Sequence, residues 1–79
     1  MTYDVELNEV EYVMYNILFS TDDYFRIELD WCDDLSFLVK YVHDVESMIN
    51  NTKLKLIEHE LILTIKEKCW YIKLDRQNE

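Results

Sequence analysis

The chain has 79 residues, 17 Asp or Glu against 8 Lys or Arg for a formal net charge of −9, and neither Gly nor Pro. Its length confines it to one domain, residues 1–79, while a hydrophobic content of 49% supplies a core and excludes intrinsic disorder despite the charge. A chain without Gly has no Gly-rich phosphate loop and no Gly-x-Ser-x-Gly elbow, so the common nucleotide-binding and hydrolase signatures are absent and a non-enzyme without cofactor is expected.

The first segment, Tyr3, Val5 and Leu7 alternating with Asp4, Glu6 and Asn8, reads as a short strand. It has neither the basic n-region nor the apolar run of a signal peptide, and no stretch of the chain approaches bilayer length. The expected location is therefore the cytoplasm of a bacterial host, with no membrane contact and with Cys32 and Cys69 as reduced thiols. Ala is missing as well, and the residues with AT-rich codons (Phe, Tyr, Met, Ile, Asn, Lys) fill 30 positions, which points to a low-GC bacterium or a phage or plasmid within one.

Val10 to Phe19 has two readings. It is β-branched and aromatic enough for a strand, yet Val10, Val13, Met14, Ile17 and Leu18 also make a helical stripe, with Asn8 and Glu11 spaced as a capping box. The strand reading is preferred because Ser20-Thr21-Asp22-Asp23 has turn chemistry and a strand follows it, which makes a hairpin economical. That next strand, Tyr24 to Trp31, places Phe25, Ile27, Leu29 and Trp31 on one face and Arg26, Glu28 and Asp30 on the other.

The clearest element is a helix from Asp33 or Asp34 to about Asn50. Leu35, Leu38, Tyr41, Val42, Val45, Met48 and Ile49 recur at spacings of three and four, Asp33 is placed to cap the first amides, and Asn50-Asn51 supplies the left-handed stop that Gly normally gives. Beyond it Lys53–Glu58, Leu61–Ile65 and Cys69–Leu74 read as three short strands, the last two facing each other across Lys66-Glu67-Lys68. The implied fold is α+β: an antiparallel sheet of five or six short strands with one long helix, about 33–50, packed on one face.

Candidate chemistry is sparse. Cys32, His43, His59 and Cys69 are zinc-ligand types, but none of their separations is a short Cys-x-x-Cys or His-x-x-x-His spacing, so no metal site is assigned. Cys32 lies among Asp30, Asp33 and Asp34, whose negative field disfavours a thiolate nucleophile. The acid pairs Asp22-Asp23 and Asp33-Asp34 are explained by a turn and a helix cap.

What remains is the charge distribution. Residues 1–46 carry a net −10 and residues 47–79 a net +1. Glu28 and Asp30 sit two residues apart on one strand face, about 7 Å along it. With Asp22, Asp23, Asp33, Asp34 and Asp44 they compose an expected anionic surface for Lys and Arg side chains of the kind that grip a phosphate backbone, with Tyr24 as a neighbouring anchor. The expected function is a small acidic inhibitor that covers the basic surface of a nucleic-acid-handling bacterial protein, an effector or nuclease. Its general style is that of phage anti-defence inhibitors such as anti-CRISPR proteins and DNA mimics, with no motif tying it to one family. The alternatives are a self-associating structural or regulatory module, as a homodimer, and a toxin-immunity protein. Direct nucleic-acid binding is disfavoured, because the cluster Lys53, Lys55, Lys66, Lys68, Lys73 and Arg76 is diluted by five acids in the same segment.

Overall fold

A computed structural model describes residues 8–76. In chain order they form α1 (Glu9–Phe19), β1 (Tyr24–Glu28), α2 (Leu35–Asn50), β2 (Lys55–Leu63) and β3 (Lys68–Asp75). The strands make one antiparallel sheet in the order β1-β3-β2. The fold is thus α+β as expected, but among the described residues it has three strands and two helices, where five or six strands and one helix were expected. The strand expected at Tyr3, Val5 and Leu7 lies outside the described residues.

The segment left open in the sequence, Val10–Phe19, is helical. The Asn8 side chain accepts from the Glu11 amide at 2.9 Å while its own amide donates to the Glu11 carboxylate at 2.8 Å, which satisfies an end group that a strand would not present. Val13, Met14 and Ile17 are then buried on one side. At the far end of α1, Arg76 donates to the carbonyl of Ile17 at 2.7 Å and to that of Asp22 at 2.7 Å, so the residue just past β3 holds both the helix end and the loop into β1.

β1 stops at Glu28, three residues before the expected end at Trp31. The Leu29 amide still reaches the Lys68 carbonyl at 2.9 Å, but Cys32 N then turns back to Leu29 O and the chain leaves the sheet. Leu29 stays in the core, whereas Trp31, expected beside it, swings outward with its indole N–H on the Glu28 carbonyl at 2.8 Å. α2 is capped by Asp34, which accepts from Phe37 N at 3.2 Å, in place of Asp33. No left-handed residue closes α2: Asn51 has φ −88°, and Thr52 ends the helix by returning both its amide and its hydroxyl to Ile49 O.

The two strands expected at Lys53–Glu58 and Leu61–Ile65 are one, β2. An irregularity between Leu56 and Glu58 shifts the register, turns Ile57 out, and restores alternation beyond the polar run Glu58-His59-Glu60. Leu56, Leu61 and Leu63 thereby face the helices, opposite Leu74, Trp70 and Lys68 of the central strand. Ile65, expected in a strand, is fully exposed in the turn. The core is Trp70, Ile72 and Leu74 of β3 beneath Val13, Met14 and Ile17 of α1 and Leu38, Tyr41, Val42, Val45 and Ile49 of α2. Leu35 and Met48, expected in the same stripe, are exposed.

Candidate protein-binding surface

The structure distributes the eight expected contact residues over three places. Asp22, Asp23 and Tyr24 lie at the start of β1; Glu28, Asp30, Asp33 and Asp34 lie at its other end, about 17 Å away for a strand of 5 residues. Asp44 lies in the middle of α2. Three of these acids meet cations within the molecule: Asp23 meets Arg76 at 3.6 Å, Glu28 pairs with Arg26, and Asp33 meets Lys68 at 3.0 Å. Asp34 is spent on the helix cap.

On the sheet face away from the helices the charges are interleaved. Arg26 donates to the Tyr71 hydroxyl at 3.0 Å and to Glu67 at 3.2 Å, lies over the Tyr71 ring, and also pairs with Glu28. These hydrogen bonds raise the Arg26 pKa, first through Tyr71 and then through Glu67, and Arg26 in turn lowers that of Glu67. Burial raises the Cys69 thiol beneath them, helped by the Glu67 carboxylate, so this buried cysteine is no nucleophile. Lys73 stands across the ladder from both Tyr24 and Glu58. A depression of about 390 Å³ lies here, with Tyr24, Glu58, Glu60, Tyr71 and Lys73 among its walls, but both signs of charge already line it. This face mixes both signs of charge.

The helical layer differs. Trp31, Phe37 and Tyr41 form an aromatic cluster: Trp31 meets Phe37 edge-on at 6.0 Å and Tyr41 edge-on at 5.4 Å, and Phe37 stacks near Tyr41 at 6.5 Å. Tyr41 is buried beneath, while Trp31 and Phe37 are 45% and 42% exposed. Asp33 and Asp34 occupy the chain between these two exposed rings, next to exposed Leu35, and Asp30 directly precedes Trp31. Beside the cluster a groove of about 220 Å³ runs between the start of α1 and the first half of α2, lined by Asn8, Glu9, Val10, Phe37, Lys40, Tyr41 and Asp44. A second apolar stripe covers the outer side of α1, where Tyr12, Tyr15, Leu18 and Phe19 are exposed and the Tyr15 and Phe19 rings lie 4.5 Å apart.

Reasoning from sequence passed over Trp31, Phe37 and Glu9. Trp31 fitted a strand alternation that ends earlier, and Phe37 falls between core positions Leu35 and Leu38 of the assumed stripe. The usable signal was that Leu35, Phe37 and Val39 are apolar residues off the Leu38-Tyr41-Val45-Ile49 line, Phe37 on one flank of it and Leu35 and Val39 on the other, at positions a solvated helix leaves polar. Among the described residues no group of three His, Cys, Asp or Glu is placed to hold a metal ion, and no helix is long and apolar enough to cross a membrane. No protein-family model, curated protein or solved structure matches the chain.

Proposed function

We propose that this chain is an acidic protein-binding module that covers a basic, apolar-cored surface, of the kind a nucleic-acid-handling bacterial protein uses on a phosphate backbone, and so inhibits it. The observation that carries the reading is the corner between β1 and α2, where the exposed Trp31 and Phe37 rings share one short stretch of chain with Asp30, Asp33 and Asp34. Exposed aromatic rings with a polar, charged margin are the usual energetic centre of a protein interface, and carboxylates around them select a cationic partner and speed its approach. The ion pairs at Asp23, Glu28 and Asp33 shrink the anionic surface expected from sequence, so the reading rests on the rings at least as much as on the charge.

The test compares capture from a low-GC bacterial lysate by the parent chain, by Trp31→Ala with Asp30→Lys, and by a Glu58→Lys control on the sheet face. Proteins lost with the corner variant, retained by the control, released by rising salt and displaced by short duplex DNA are the expected result. An identical captured set for all three chains refutes it. The α1 stripe of Tyr12, Tyr15, Leu18 and Phe19 supports a second reading, self-association. Light scattering that shows a salt-insensitive dimer abolished by Phe19→Glu would replace the first reading with this one.

A further inference from the structure

We infer that the groove between α1 and α2 is an anchoring pocket for a cationic side chain, an arginine above all, projecting from the partner. The inference deepens the proposed function and rests on it for the partner's basic character. Its own support is the composition of the groove. Phe37 and Tyr41 give it aromatic walls with ring planes 19° apart, on which a planar guanidinium stacks. Glu9 and Asp44 bring a carboxylate from each helix to the same groove.

A second observation points to a ligand. Tyr41 is 4% exposed, yet its hydroxyl has no hydrogen-bond partner among the described residues, and the Glu9 carboxylate acts on it from the groove. That hydroxyl is not among the buried polar atoms left without a partner, so it opens to the groove, where a guanidinium bridging Glu9 and Asp44 brings its fork of N–H donors to the oxygen. Phe37 belongs both to this groove and to the exposed corner, so an arginine here and an apolar residue on Trp31 can come from one partner surface.

The other sources of a cation are poor. Residues 1–7 contain Asp4 and Glu6 but no Lys or Arg, and a second copy brings a net charge of −9. Lys40 also lines the groove, without an ion pair among the described residues, and opposes an incoming charge. That opposition gives the test a sign that simple acidity does not share.

The probe is acetyl-arginine amide, with acetyl-lysine amide beside it, titrated at low salt and followed by amide chemical shifts. Shifts should centre on Glu9, Phe37, Lys40, Tyr41 and Asp44 and be larger for arginine. Glu9→Gln and Asp44→Asn should each weaken binding about two- to fivefold and Lys40→Gln should strengthen it by a similar factor, the sizes set by half-exposed ion pairs. Asp75→Asn on the sheet should leave it unchanged. Arginine shifts centred on Trp31 and Asp33, untouched by Glu9→Gln and Asp44→Asn, overturn the pocket and leave the corner reading standing. No localised shift with either amide, together with loss of lysate capture by the Glu9→Gln, Asp44→Asn pair no greater than by Asp75→Asn, also overturns the pocket. A captured set insensitive to Trp31→Ala with Asp30→Lys defeats the function reading separately.

Discussion

Replacing Arg76 with Ala should remove a large part of this domain's stability, because one side chain joins three parts of the chain. Its guanidinium donates to the carbonyls of Ile17 and Asp22, lies 3.6 Å from Asp23 and stacks over the Phe25 ring, and it is only 13% exposed. A hydrogen bond from a charged donor contributes about 1.5–3 kcal/mol. The Ile17 carbonyl keeps a bond from Ser20 N at 3.4 Å, and the Asp22 carbonyl becomes solvated, so part of the gross sum is recovered. A net loss of about 2–4 kcal/mol remains, against a total of about 4–12 kcal/mol for a chain of this size. With a urea slope of about 1 kcal/mol/M, the unfolding midpoint should fall by about 2 M or more, read from the fluorescence of buried Trp70. Arg76→Lys, which keeps the charge but not the fork, should lose about half as much. Hydrogen exchange in the variant should accelerate first at the α1 amides, since α1 loses its tether to β3. A midpoint shift below about 0.3 M, within extrapolation error, would refute the assignment of Arg76 as the clamp.

Other perturbations test other links. Burial, with the Glu9 carboxylate adding to it, pushes the Tyr41 phenol up to about 12; the folded form therefore resists ionisation, so its contribution is complete below pH ~10 and is lost as pH rises toward ~12. Full effect is about 2.7 kcal/mol, reduced to about 1–2 by the groove's access to water, and unfolding midpoints across that range should decline less in Tyr41→Phe; an equal decline in both proteins counts against it. Trp70 buries an indole N–H that has no partner among the described residues, so Trp70→Phe should cost within about 1 kcal/mol, far less than the about 3–5 kcal/mol of Trp70→Ala, in urea unfolding followed by circular dichroism. Asp34→Ala should cost about 1 kcal/mol as a lost helix cap, whereas Asp33→Ala, whose pair with Lys68 is exposed, should cost under about 0.5 kcal/mol. Equal costs would mean that either acid can serve as the cap.

The elements most legible in the sequence were those with one strong period. α2 was visible because Leu38, Tyr41, Val42, Val45 and Ile49 leave no alternative to a helix, and the central strand because Trp70, Ile72 and Leu74 alternate cleanly. α1 was not separable from a strand, because Val10, Val13 and Ile17 are β-branched as well as helically spaced and its outer face is equally apolar; the Asn8–Glu11 bonds decide it, and they are visible only as a three-residue spacing. Two strands were expected in place of β2 because its irregularity at Ile57 breaks the alternation, and a register shift leaves no mark on composition. Of the expected contact residues, their positions in the chain were legible and their partners were not. Nothing local in Asp23, Glu28 or Asp33 announces Arg76, Arg26 or Lys68; for Asp23 and Asp33 the cation arrives from the other half of the chain.

That last point has a cause in the topology. β3 comes from the cationic half of the sequence and takes the centre of the sheet, with β1 from the acidic half paired antiparallel along one side. Such pairing brings Lys68 and Arg76, near the two ends of β3, to Asp33 and Asp23, near the two ends of β1, so the asymmetry of −10 against +1 along the chain is partly cancelled in space. The cancellation does not extend to the helical layer: α1 and α2 contain Glu9, Glu11, Asp44 and Glu46 with Lys40 as their one Lys or Arg, because every other Lys or Arg of the described residues lies in β1, β2, β3, the segments leading into them or, for Arg76, just past β3. The same layer holds the exposed rings of Trp31's neighbour Phe37 and of Tyr12, Tyr15 and Phe19. A net negative charge and uncovered aromatic rings therefore coincide on the helices, where Asp44 and Glu46 lie near His43 and His59 and, among the described residues, no Lys or Arg pairs with an acid. Any partner chosen by both must dock on the helices, and the salt dependence of its capture should respond to Glu9, Asp44 and Lys40 more than to the acids of β2 and β3.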